Sequence, residues 1–60
     1  MFVIVLETAG ADWYWNEESQ NWWRQTNMAT EYESLDDAKA EKPYAIEYGS
    51  TGKVCIRERV

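Results

Sequence analysis

Hydrophobic residues near the start of the chain form a short unbroken run. The segment FVIVLE, residues 2–7, carries apolar side chains at both odd and even positions, which point to opposite faces of a strand. Such a run is typical of a strand that is buried on both faces. We therefore predict a central strand here, and Gly10 ends the pattern.

Three further segments have the alternation of short strands. DWYW, residues 12–15, and NWWRQ, residues 21–25, are separated by the polar residues 16–20, a normal length for a hairpin loop. The segment MATEYE, residues 28–33, places Thr and Tyr on one face and Glu on the other, and predicts another short strand.

All four tryptophans lie in the predicted hairpin. In a regular strand Trp13 and Trp15 share a face, whereas Trp22 and Trp23 must point to opposite faces. Each aromatic side chain buries about 150–250 Å², so a small domain needs several of them in its core. For any single tryptophan the core is the favoured place, but complete burial of all four is not expected.

The clearest local signal is the segment SLDDAKAEKP, residues 34–43. Ser34 is a favourable N-cap, and Asp37 occupies the third helical position, where a capping-box acid belongs. Pro43 is expected to stop the helix because it has no backbone N–H to donate. The pattern predicts a helix over about residues 35–42, with a narrow apolar side.

The last part of the chain, residues 44–60, has the pattern of a β-hairpin. Tyr44, Ile46 and Tyr48 would share a face of its first strand, and the residues between Gly49 and Gly52 would form the turn.

Together these elements predict a single α+β domain over residues 1–60. It consists of a small twisted, mostly antiparallel sheet of four to six strands, with one short helix packed on one face. One helix of about eight residues cannot cover both faces of such a sheet. We therefore expect a large aromatic surface to remain exposed.

Composition and charge narrow the class of function. Hydrophobic residues make up 45% of the chain, which predicts a folded domain, and the net charge is −5. Phosphate backbones and anionic lipids would repel such a chain, so direct nucleic-acid or membrane binding is not expected. The expected partner is a protein with a basic surface.

Candidate catalytic groups are few. The adjacent acids Glu17–Glu18 and Asp36–Asp37 diverge on any regular element, and no predicted pocket would shift their pKa. Cys55 is the only cysteine and the chain has no histidine, which predicts a plain thiol and no ordinary zinc site. We predict no enzyme activity, cofactor or metal. The short apolar run at the start matches neither a signal peptide nor a membrane span, so a cytoplasmic location is expected.

The predicted partner-binding residues combine aromatic anchors with clustered acids. They are Trp13, Trp15, Trp22, Trp23, Glu31, Glu33, Asp36 and Asp37. The acids lie close together in sequence and would fit a groove that normally holds nucleic acid, which is the principle of DNA mimicry. The alternative is that they only keep the surface solvated.

The segment ATEYESLDDAKAEKPYAIEYGSTGKVCIRERV, residues 29–60, resembles the layout of small phage-encoded inhibitors. These include some anti-CRISPR proteins and a phage inhibitor of bacterial RNA polymerase. The resemblance implies a protein that blocks a nucleic-acid-handling machine in the bacterial cytoplasm by binding it. Two alternatives stay open: a self-assembling protein that buries its aromatic face in a homodimer or larger oligomer, and an aromatic single-stranded nucleic-acid binder.

Overall fold

A computed structural model describes residues 1–49 and 52–59 of the chain. It contains a four-stranded sheet in the order β3-β2-β1-β4 with every neighbouring pair antiparallel. The elements in chain order are β1 Phe2–Glu7, β2 Asp12–Asn16, β3 Asn21–Trp23, a 3-10 turn Thr26–Met28, α1 Leu35–Glu47 and β4 Lys53–Glu58. This confirms the predicted α+β class, with the smallest of the expected strand numbers.

Strand β1 lies in the middle of the sheet, as its apolar run predicts. It pairs with β2 on one side and with β4 along its whole length on the other. Its four central residues, 3–6, are all buried. Ile4 faces α1, and the neighbouring Val5 points to the other side of the sheet, so both faces of β1 are covered.

The segment MATEYE does not form a regular strand. Only Tyr32 makes a bridge, exchanging backbone hydrogen bonds of 2.8 Å with Phe2. Thr30 donates its backbone N–H to the carbonyl of Trp15 at 2.9 Å, so this segment fills the space where β2 leaves β1. The prediction of a further strand here is therefore wrong, although Tyr32 bridges to the start of β1.

Helix α1 begins where the sequence predicts and ends later. The Ser34 hydroxyl accepts the N–H of Asp37 at 3.1 Å, which confirms the N-cap. Beyond it, however, α1 continues through Pro43 to Glu47, so the predicted end near residue 42 is wrong. Proline removes the N–H that would donate to the carbonyl of Lys39. Lys39 is on the exposed side of the helix, where water can replace that bond.

Packing beyond Pro43 compensates for the lost hydrogen bond. Ala45 is completely buried against the sheet, and the Tyr48 ring stacks on Trp15 with the ring centroids 5.7 Å apart. The segment that contains Tyr44 and Ile46 is consequently helical, and the predicted C-terminal hairpin is wrong. Its predicted turn includes Ser50 and Thr51, which lie outside the described residues.

The core between α1 and the sheet is small and aromatic. Ile4, Trp15, Ala38 and Ala45 have no exposed surface and form its centre. The side chains of Ala38 and Ala45 are small, so the space between helix and sheet can hold the large indole of Trp15. Half-buried hydrophobic residues surround this centre: Phe2, Trp22, Tyr32, Val54 and Ile56.

Candidate functional site

The four tryptophans are distributed as the strand geometry predicts. Trp22 pairs with Trp15 on the helix side of the sheet, and its ring centroid lies 5.2 Å from that of Trp15. Trp23 pairs with Tyr14 and therefore points to the opposite face. Trp13 shares a face with Trp15 but is only half-buried. The guanidinium carbon of Arg24 lies over its ring, 5.7 Å from the ring centroid. The second tryptophan pair is thus divided between the two faces.

Trp15 is the only one of the four tryptophans that is fully buried in the core. Trp15 has no exposed surface, so it has nothing to present to a partner. Trp13, Trp22 and Trp23 are half-buried. None of the four is among the strongly exposed hydrophobic residues of the described chain.

The exposed aromatic surface lies on α1 instead. Tyr44 is 61% exposed and Tyr48 is 54% exposed, and Ile46 and Leu35 are 47% and 40% exposed. From the sequence, a large aromatic surface is expected to remain exposed because the helix is too short to cover the sheet; the strongly exposed aromatic residues of the described chain are instead two tyrosines, Tyr44 in α1 and Tyr48 at its C-cap. Sequence reasoning missed the tyrosines because it ended the helix at Pro43 and placed them in a strand.

The predicted acidic residues surround the start of α1. Glu33, Asp36 and Asp37 are exposed, and the two aspartates lie in the first helical turn, where the helix dipole favours negative charge. Glu31 is also exposed, and its carboxylate forms an ion pair with Arg59 at 3.2 Å. Glu31 is therefore partly neutralised, whereas the other three belong to no described ion pair.

One flank of α1 joins the acids to the exposed tyrosines. Successive helical residues are about 100° apart, so Asp37, Glu41, Tyr44 and Tyr48 form one row along the helix. The row faces β2, because Glu41 accepts the indole N–H of Trp15 at 3.2 Å and Tyr48 stacks on the same indole. Buried Trp15 thus fixes the position of two residues of this row.

A third acid, Glu17, lies close to this row through Tyr32. The Tyr32 hydroxyl donates to the carboxylate of Glu17 at 3.0 Å, and Glu41 is close enough to act on Tyr32 electrostatically. We call Glu17, Asp37, Glu41, Tyr44 and Tyr48 the acidic aromatic flank. Neither Glu17 nor Glu41 stood out as a binding residue in the sequence, since only the fold brings these two acids together.

The Tyr32 hydroxyl should make folding pH-dependent at high pH. Burial and the Glu17 carboxylate raise the pKa of Tyr32 far above its ordinary value of about 10. The folded state thus holds this proton more tightly than the unfolded state does, so stability should fall as the pH rises above about 10. We expect Tyr32→Phe to reduce this alkaline loss in urea unfolding between pH 8 and pH 11. An unchanged pH profile in the variant would show that Tyr32 does not carry the effect.

The face of the sheet opposite α1 is covered by arginine side chains rather than by a second helix. Arg57 starts opposite Val3 and reaches the carboxylates of Glu7 and Asp12, which face each other across β1 and β2. Its aliphatic stem therefore crosses Val5, which has no exposed surface. These contacts lower the pKa of Glu7 and raise that of Arg57, chiefly through their shared hydrogen bond.

Arg59 covers the next part of this face. Its guanidinium lies 5.8 Å from the ring centroid of Tyr14 and donates to the Thr26 carbonyl at 3.0 Å as well as to Glu31. A shallow cavity of about 430 Å³ beside it is lined in part by Val3, Tyr14 and Arg57. Two of the three C-terminal cations, Arg57 and Arg59, are therefore bound within the fold and are not free to hold phosphates.

Cys55 lies on the same face and is half-buried. Its thiol donates to the Glu7 carboxylate at 3.5 Å, and desolvation together with that carboxylate raises the pKa of Cys55. A thiol held in its protonated form is a poor nucleophile. The arrangement therefore suits a structural thiol better than a reactive one.

Within residues 1–49 and 52–59, no group of three metal-ligating side chains is present, and no helix has the length and apolarity needed to cross a membrane. No protein-family model, curated protein or solved structure matches this chain.

Proposed function

We propose that this protein is a non-enzymatic binding module that contacts a basic protein surface through its acidic aromatic flank. The observation that carries the proposal is the row on α1, in which two strongly exposed tyrosines follow two acids along one side of the helix. Tyrosine is one of the residues that most often anchor protein interfaces. Neighbouring exposed apolar side chains that form one patch often mark an interaction site.

The acids around the flank determine which kind of partner the proposed surface attracts. Glu33, Asp36 and Asp37 are exposed at the helix start, and Glu41 follows Asp37 on the side of the helix that carries the tyrosines, so negative charge precedes the tyrosines along α1. Such a surface attracts a basic partner and repels nucleic acid. Of the residues predicted from sequence, the flank itself contains only Asp37, and Tyr44 and Tyr48 take the place of the four tryptophans as anchors.

The proposed action is inhibition. A basic surface that normally holds nucleic acid would bind these carboxylates in place of phosphates, and the tyrosines would add apolar contact. This role is the one that the layout resemblance to small phage-encoded inhibitors implies, and the bacterial cytoplasm would be the corresponding location.

The flank also discriminates against the nucleic-acid alternative. Stacking proteins place aromatic side chains beside cations that bind the backbone. Here the exposed tyrosines lie beside Asp37 and Glu41, and Arg57 and Arg59 are on the other face of the sheet with carboxylate partners. Single-stranded oligonucleotides should therefore leave the intrinsic fluorescence of the protein unchanged at low salt.

Paired charge reversals test the proposal. Glu33→Lys together with Asp37→Lys should weaken capture of a basic partner from bacterial lysate by about tenfold or more, because both attraction and steering are lost. Glu58→Lys is the control, since it reverses one exposed acid on β4, away from the flank, and so gives the effect expected for each reversed charge. Capture that falls equally per reversed charge in both variants would show a general charge effect and would contradict a role for the flank.

A further inference from the structure

The two edges of the sheet differ in their ability to accept another strand. Strand β3 has three residues, and the outward N–H of Trp22 is satisfied by the Asn21 side chain at 2.9 Å. Strand β4 has six residues, Lys53–Glu58. A short, self-capped edge resists further pairing, whereas a long uncovered one invites it.

The register shows which backbone groups of β4 are free. Met1 and Arg59 exchange backbone hydrogen bonds, with Arg59 N–H donating to the Met1 carbonyl at 2.6 Å. Hydrogen-bonded pairs occur at every second residue of an antiparallel ladder, so Arg57, Cys55 and Lys53 also direct their backbone groups toward β1. The groups that point away from β1 belong to Val54, Ile56 and Glu58, and within the described residues they have no hydrogen-bond partner.

Exposed aliphatic side chains on α1 lie on the side of this edge. The flank of α1 that contacts Trp15 faces β2, so the opposite flank, with Leu35, Lys42 and Ile46, faces β4. Leu35 is 40% exposed and Ile46 is 47% exposed. A strand added beside β4 would place every second side chain under these two residues and extend the core between sheet and helix.

Lysines surround the same edge. Lys39 and Lys42 lie on the β4 side of the helix, and Lys53 begins β4 on the other face of the sheet. None of the three belongs to a described ion pair. The chain is acidic as a whole, yet its free lysines are collected here, opposite the acidic aromatic flank.

A second copy of the chain is a poor occupant of this edge. Antiparallel self-pairing must place residues of the same face opposite each other, so the central registers set Lys53 against Arg57 or Arg59 of the other copy. Like charges directly opposite each other destabilise a sheet.

We propose that the outer edge of β4 binds an extended segment of another protein by antiparallel strand addition. The segment alternates apolar side chains, which lie under Leu35 and Ile46, with acidic side chains, which approach Lys53. The three free N–H and C=O pairs of β4 supply the main-chain bonds, and the alternation supplies specificity. This surface is separate from the acidic aromatic flank.

A synthetic peptide tests the proposal directly. Acetyl-Glu-Val-Glu-Val-Glu-Val-Glu-amide should shift the backbone amide NMR signals of Val54, Ile56 and Glu58 and slow their exchange with water. The amides of Cys55 and Arg57 already bond to β1 and should keep their exchange rates. The same peptide with lysine in place of glutamate should bind at least about tenfold more weakly, since the cations on the edge would repel it.

Peptide N-methylation identifies the bonds without altering the protein. In an antiparallel added strand the residues on the helix side direct their N–H groups toward β4. Methylation of the valine nitrogens should therefore abolish binding, whereas methylation of the glutamate nitrogens should leave it nearly unchanged. Equal effects of the two methylations would contradict strand addition at this edge.

Two protein variants separate this surface from the acidic aromatic flank. Ile46→Ser should weaken peptide binding several-fold, and Tyr44→Ser, an exposed position on the opposite flank, should not. Absence of shifts at the edge would overturn the proposal. So would a protein that sediments as a dimer and does not dissociate when the peptide is added, because a second copy would then occupy β4.

Discussion

Replacing Trp15 by alanine should lower the free energy of unfolding by about 3–5 kcal/mol. Trp15 is completely buried, stacks against Tyr48, contacts Trp22 and donates its indole N–H to Glu41. A domain of this length is stable by only about 3–9 kcal/mol in total. We therefore expect the variant to lose about a third or more of the total stability, as measured by urea unfolding followed by far-ultraviolet circular dichroism.

Trp23→Ala is the matched control for this prediction. Trp23 is a half-buried tryptophan on the face opposite α1, and its indole N–H bonds to the Ser19 hydroxyl at 3.0 Å. Its removal exposes less of the core, so we expect a loss of about 1–2 kcal/mol. A mild effect at Trp15 together with a severe effect at Trp23 would contradict the assignment of the core to the helix side of the sheet.

Gly52→Ala should be the next most damaging substitution. Gly52 has φ of +114°, which residues with a side chain rarely adopt. An added Cβ would also clash with the carbonyl oxygen of Glu7, because the two atoms would be closer than the sum of their van der Waals radii. The backbone strain alone costs about 1–3 kcal/mol, and the clash with a central strand increases it. The loss can be measured as a shift in the urea midpoint at constant slope.

Gly10→Ala provides the comparison at a second glycine. An added Cβ at Gly10 meets no atom within 4 Å. Alanine also restricts the unfolded chain, so we expect a neutral or slightly stabilising effect. Equal destabilisation by the two substitutions would show that the close approach of Gly52 to β1 is not the cause.

Local patterns predicted the parts of the fold that depend on neighbouring residues. The double-sided apolar run of β1, the aromatic hairpin and the Ser34 N-cap are all present. The division of Trp22 and Trp23 between two faces follows from strand alternation alone and is also present. These features needed no knowledge of distant contacts.

The end of α1 could not be predicted from local signals. Pro43 is normally a strong stop, and the contacts that carry the helix past it, Ala45 in the core and Tyr48 on Trp15, join residues far apart in sequence. For the same reason the sequence did not predict how the second face of the sheet is covered. Arg57 covers it by reaching Glu7 and Asp12, which are distant in sequence.

The candidate site shows a similar division. The acids at the start of α1 were predicted from sequence, and the structure places Glu33, Asp36 and Asp37 at exposed positions. The tyrosines beside them were missed because they belong to the unpredicted half of the helix. Charge and composition therefore indicated the kind of surface, and tertiary packing determined which aromatic residues form it.

Photo-crosslinking from α1 is the most direct test of the acidic aromatic flank. Benzoylphenylalanine at Tyr44 should crosslink a protein with a basic surface in bacterial lysate, and Glu33→Lys with Asp37→Lys should abolish that product. The same probe at Ile46, on the opposite flank, should not give it. An identical product from both positions, or a product at Tyr44 that persists after charge reversal, would contradict the proposed function.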